Sequence, residues 1–74
     1  MTLSDCSEHS TGKVKAIGGD IDVHRRLVDM GMLDADYCVA FKRKRSALVD
    51  FCGSFSAVVR FDTARIIEVV ENRV

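Results

Sequence analysis

Nowhere in this chain do apolar residues run on for the roughly 18 positions that a membrane-crossing helix needs. No membrane insertion is therefore expected. Net charge is missing as well: eleven Lys and Arg stand against eleven Asp and Glu. That balance removes any global field that would draw the chain toward nucleic acid or a membrane surface. Cysteine is scarce and odd in number, with Cys6, Cys38 and Cys52 and no CxxC pair. An odd set does not build a disulfide framework, so reduced thiols in a cytoplasmic protein are expected. The opening MTLSDCSEHS has neither the basic start nor the apolar run of a secretory signal, which fits a cytosolic location.

The recognisable constellations of catalysis are also absent. Gly18-Gly19 stands alone, without the wider glycine frame that cradles a phosphate. His9 and His24 make no HExxH, and no Cys lies beside a His in sequence, so neither a metalloprotease helix nor an activated thiol can be read. The chain is expected not to be an enzyme. His24, Cys38 and Cys52 are the candidate metal ligands, since imidazole and thiolate suit ferrous iron or zinc. They carry no finger spacing, and the commoner roles are a helix-surface histidine and small buried hydrophobes.

What the chain does have is 74 residues of ordinary globular composition, 47% hydrophobic and 30% charged, which argues against disorder. Residues 1–11 are polar apart from Leu3 and are expected to form a flexible arm or a short leading strand. GKVKAIGG (12–19) alternates as a strand until Ile17 breaks the pattern. Asp20 is a plausible N-cap for a short helix. Val23, Leu27 and Met30 fall at i, i+4 and i+7 on its inward stripe, and Gly31 sits where a left-handed residue would stop it. Arg25 and Arg26 lie away from that stripe.

Three alternating stretches follow: YCVAFKR (37–43), ALVDF (47–51) and FSAVVRF (55–61), with Gly53-Ser54 as a hairpin turn between the last two. Their alternation places Tyr37, Val39, Phe41, Phe51, Phe55 and Phe61 on core-facing sides. DTAR (62–65) reads as one helical turn capped by Asp62, and IIEVV (66–70) as the closing strand. Five short strands cannot make a useful two-sheet sandwich at this length. A small, strongly bent SH3-like barrel, mostly β, with one helix after the first main strand and one helical turn before the last, fits the order best.

The charged feature that stands out is the run Lys42, Arg43, Lys44 and Arg45 at a hairpin tip. It could meet an acidic protein surface or the phosphates of a nucleic acid. The second reading needs exposed aromatics for base stacking; tryptophan is absent, and the phenylalanines are expected in the core. A nucleic-acid-binding barrel is thus the alternative and not the preferred reading.

Taken together, these residues resemble the FeoA family, the small accessory proteins of ferrous iron transport. The resemblance rests on Arg26-Leu27 in the helix, on Met30-Gly31-Met32 at its end, and on the late hairpin Gly53. It continues through Val58, Ala64, Ile67 and Val69 in the closing segment. It spans about residues 12–70, so 12–74 is taken as the domain. The chain departs from the family at Asp34-Ala35-Asp36, where Pro-Gly is common, and at Lys42 to Ser46, where Pro and Gly are frequent. The resemblance implies a cytoplasmic, non-enzymatic helper of ferrous iron uptake. Its implied partner is the iron permease that carries a cytoplasmic GTPase domain, and transition-metal binding is associated with such domains. Arg25, Arg26 and Lys42 to Arg45 are the expected docking residues. Val23, Leu27, Met30, Gly31, Gly53 and Ala64 are the expected structural ones. The protein is expected to be a monomer or a weak homodimer.

Overall fold

The computed structural model describes residues 1–52 and 55–72. Its elements, in chain order, are a 3-10 turn at Leu3–Asp5, β1 (Thr11–Ile17), α1 (Ile21–Asp29), β2 (Asp36–Lys42), β3 (Ser46–Phe51), β4 (Phe55–Arg60), α2 (Phe61–Ala64) and β5 (Ile67–Glu71). The strands form one antiparallel sheet in the order β4-β3-β2-β1-β5. This is the mostly β, SH3-like arrangement that the sequence predicts. The turn expected at Gly53-Ser54 lies outside the described residues.

The core is drawn from one side of every strand: Val14 and Ile17, Tyr37 and Val39, Ala47, Val49 and Phe51, Val59, then Ile67 and Val69. Two bulges decide which side that is. In β1, Val14 pairs with Val69 but Ala16 pairs with Glu68, so Lys15 is an extra residue. The parity flips there, and Ile17 returns to the core opposite Ile67 while Ala16 is exposed. The Ile17 that breaks the alternation in sequence is the signature of this bulge.

A second bulge sits at Ala40, between the pairs Val39–Val49 and Phe41–Leu48. It turns Phe41 outward and Lys42 inward, reversing the expectation for both. Phe41 is 49% exposed and is not a core residue. Phe55 and Phe61 are half-buried against the core.

Helix α1 begins as its sequence suggests, with the Asp20 carboxylate accepting the Val23 N–H at 3.0 Å. It ends in a Schellman motif: the Gly31 N–H donates to Val28 O (2.9 Å) and the Met32 N–H to Leu27 O (3.3 Å). Gly31 supplies the required positive φ of 86°. The motif corrects the expected inward stripe. Leu27 is buried and Val23 half-buried, but Met30, at the C-cap, is exposed. Met32, just past the stop, fills the core in its place.

The first eleven residues are not a loose arm. Leu3 and Cys6 are buried in the core, Thr2 bridges Glu68, and the Thr2 hydroxyl and N–H both bond the Asp5 carboxylate. Those two donors hold the Asp5 carboxyl below the usual range. The reason for the difference is apolar: Leu3 and Cys6 join the buried core, and their turn packs against α2 and β5. α2 also starts one residue earlier than expected, with Arg60 as N-cap; Asp62 lies inside the turn and accepts the Thr63 N–H. Ala64 is buried there.

Candidate protein-docking face

The bulge at Ala40 builds a surface that strict alternation would not. With Phe41 turned out, it joins Leu48 and Val58, its neighbours across β3 and β4, in a row over three strands. These side chains are 49%, 40% and 69% exposed. With Arg43 and Ser46 they line a shallow hollow of about 430 Å³. The apolar surface continues past Val58 into a smaller cleft lined by Leu27, Met30, Met32 and Thr63.

Charge is divided across this row. On the hairpin side, the Arg43 guanidinium lies 5.3 Å from the Phe41 ring centroid, and Arg60 stands opposite Ser46. On the other side, Asp50 accepts a bond from Ser56 Oγ at 3.3 Å. Along β3 the apolar row thus lies between the basic hairpin and the Asp50 carboxylate, which stands outside the hollow's lining.

The basic run is only partly available to a partner. Lys42 Nζ donates to Cys6 O (2.8 Å) and Ser4 O (3.3 Å) and lies 5.5 Å from the Phe61 ring. Its own N–H donates to Glu8 Oε2. Lys42 is therefore a fastener for the amino-terminal turn. Arg43, Lys44 and Arg45 remain exposed, on a hairpin closed by the Arg43 N–H to Ser46 O bond at 2.7 Å. On α1, Arg25 and Arg26 are exposed beside Asp22, Asp29 and Met30, a patch in which the charges cancel.

The structure does not bring together the three residues proposed from sequence as ligands for ferrous iron or zinc. His24 is on α1 with Nδ1 2.8 Å from Ile17 O, an acceptor, so that nitrogen carries the proton. Cys38 is half-buried in β2 and Cys52 is exposed beyond β3. Among the described residues, no three His, Cys, Asp or Glu side chains gather at a point. The other polar pair of note is interior: Cys6 Sγ lies 3.3 Å from Tyr37 Oη, both almost wholly buried. Burial, and then the Cys6 contact, push the Tyr37 phenol well up from its ordinary value.

Sequence reasoning missed the apolar row because of Phe41. Leu48 and Val58 are legible as outward residues, since each adjoins a core valine in an alternating strand. The third member needed the bulge.

Among the described residues, no helix is long and apolar enough to cross a membrane. No curated protein matches the chain. Two solved structures resemble it closely in fold. One is an iron uptake regulatory protein, FeoA, 20% identical, with 97% of each chain covered and a TM-score of 0.84. The other is a manganese-dependent transcriptional repressor in complex with manganese, 24% identical, with a TM-score of 0.86. It matches 97% of this chain, which spans only 36% of the repressor. The family model for the FeoA domain matches residues 1–71, including the amino-terminal turn that completes the core. This chain belongs to the FeoA domain family.

Proposed function

We propose that the protein is a non-enzymatic accessory module of ferrous iron uptake, acting by docking on the cytoplasmic GTPase domain of the iron permease. Family membership supports the setting, and the exposed row Phe41–Leu48–Val58 beside Arg43 supports the mode of action. An apolar surface with a charged rim is the ordinary anatomy of a protein interface. Family members are generally small accessory domains, and the polar groups here are arranged to close turns. The contribution of Arg25 and Arg26 is secondary, because Asp22 and Asp29 share their patch.

The alternative, a nucleic-acid-binding barrel, gains one exposed aromatic in Phe41 and loses Lys42 to the amino-terminal turn. It keeps three basic residues on a chain of zero net charge, a small footprint for phosphate binding.

The test is a titration of isotope-labelled protein with the permease's purified cytoplasmic domain, read by amide chemical shifts. Docking predicts shifts at Phe41, Arg43 and Leu48. No shift anywhere, with salt-sensitive binding to RNA or DNA instead, would overturn the proposal in favour of the alternative.

A further inference from the structure

Resting on the reading of this chain as a docking module, we infer what the docked segment must look like: an acidic stretch of a protein partner with one large apolar anchor residue. The hollow on the outer sheet face supplies the first half of the argument. Its walls are Phe41, Leu48 and Val58, and a concave apolar site framed by an aromatic side chain receives a bulky side chain of the partner. Isolated exposed apolar residues are normal on a surface, but three in register across adjacent strands are not isolated.

Charge complementarity supplies the second half. Arg43 lies over the Phe41 ring and also lines the hollow. Among the described residues, no carboxylate comes within salt-bridge distance of Arg43, Lys44 or Arg45. Arg60, across from Ser46, reaches Asp62 at 3.9 Å between two largely exposed side chains. A guanidinium beside an apolar hollow offers two donors in a fixed fork, which fits a carboxylate next to the anchor. The Asp50 side of the row disfavours a second carboxylate there. The partner's acid therefore points toward the hairpin, which fixes the direction in which the segment lies.

The two main rivals leave different marks. β4 ends the sheet, so a strand added at its edge would touch Ser56, Val58 and Arg60 and miss Phe41. A second copy of this chain on the same face would bring Arg43 near another Arg43 and give a concentration-dependent dimer.

The experiment uses two synthetic peptides of about ten residues, each with a central Leu, one carrying Glu on one side of it and the other carrying Lys on that side. The labelled protein is titrated with each. The Glu peptide is expected to shift the amides of Phe41, Arg43, Ser46, Leu48 and Val58, and to bind about tenfold tighter than the Lys peptide. Arg43→Glu should reverse that order, and Val58→Ser should weaken both peptides while leaving the circular dichroism spectrum unchanged. Equal binding of the two peptides, shifts confined to Ser56–Arg60, no shifts, or dimerisation that buries the row would each overturn the inference. Failure of the functional proposal is separately visible: the Glu peptide would bind as described while the permease domain bound nowhere.

Discussion

Lys42 Nζ donates to the backbone oxygen of Cys6 across 2.8 Å, tying the first residue of the basic run to a buried residue of the amino-terminal turn. The bond exists because the Ala40 bulge turns Lys42 to the inner side of β2. Replacing Lys42 with Met keeps the aliphatic stem and removes the donor. Because the ammonium is only partly buried, the expected loss is about 1 kcal/mol, below the range for a fully buried charged hydrogen bond. Urea unfolding measures it, and amide exchange should quicken first at residues 2–8. An unchanged midpoint would show that the turn is held by Leu3 and Cys6 alone.

Two glycines answer to different physics. Gly31 has open space around it, so Gly31→Ala meets only the cost of a left-handed backbone, about 1 kcal/mol. At Gly12 a Cβ would run into the Val70 carbonyl and stand 2.8 Å from Tyr37. Gly12→Ala should therefore cost about 3 kcal/mol by overpacking. Thermal melts of the two variants should separate clearly. Equal melting points would mean that the β1–β5 pair yields more easily than its register implies.

Tyr37 is the chain's one tyrosine, so phenolate absorbance reports on it alone. Burial first, and then the Cys6 thiol, raise its folded pKa above the ordinary value of 10.0. The unfolded chain then loses this proton at a pH where the folded chain still holds it. The stability contributed is whole below about pH 10 and falls as pH rises above it. Phenolate absorbance and loss of the native circular dichroism signal should therefore appear together in an alkaline titration. Ionisation near pH 10 with the fold intact would contradict the burial.

The three thiols should react in order of exposure. Cys52 is exposed, Cys38 half-buried and Cys6 nearly sealed. Iodoacetamide labelling followed by mass spectrometry should modify Cys52 first and Cys38 more slowly. Cys6 should react only at the rate of unfolding. Rapid labelling of Cys6 in the native protein would show the amino-terminal turn opening by itself.

Much of the architecture is legible in the sequence because period-2 and period-3.6 patterns are local. Asp20 and Gly31 bracket α1 as read, and Ala47, Val49 and Phe51 face the core as read. What escapes is set by pairing between distant strands. Strict alternation carries Phe41 inward with Tyr37 and Val39, and only the partner strand reveals the extra residue at Ala40. Met30 fails for a related reason: the helical stripe is extrapolated one step beyond Asp29, the last residue of the helix, onto the C-cap. The basic run is visible in sequence, but its division into the bonded Lys42 and the exposed Arg43, Lys44 and Arg45 follows from that same bulge.

The sheet order places β5 beside β1, with Val14 opposite Val69 and the Val69 N–H bonded to Met1 O. Hairpins β2–β3 and β3–β4 join strands that are neighbours in sequence, whereas β1 and β5 are separated by every other strand of the sheet. Closing that longer loop costs more chain entropy than closing a hairpin, so the β1–β5 pair is the slow step in completing the sheet.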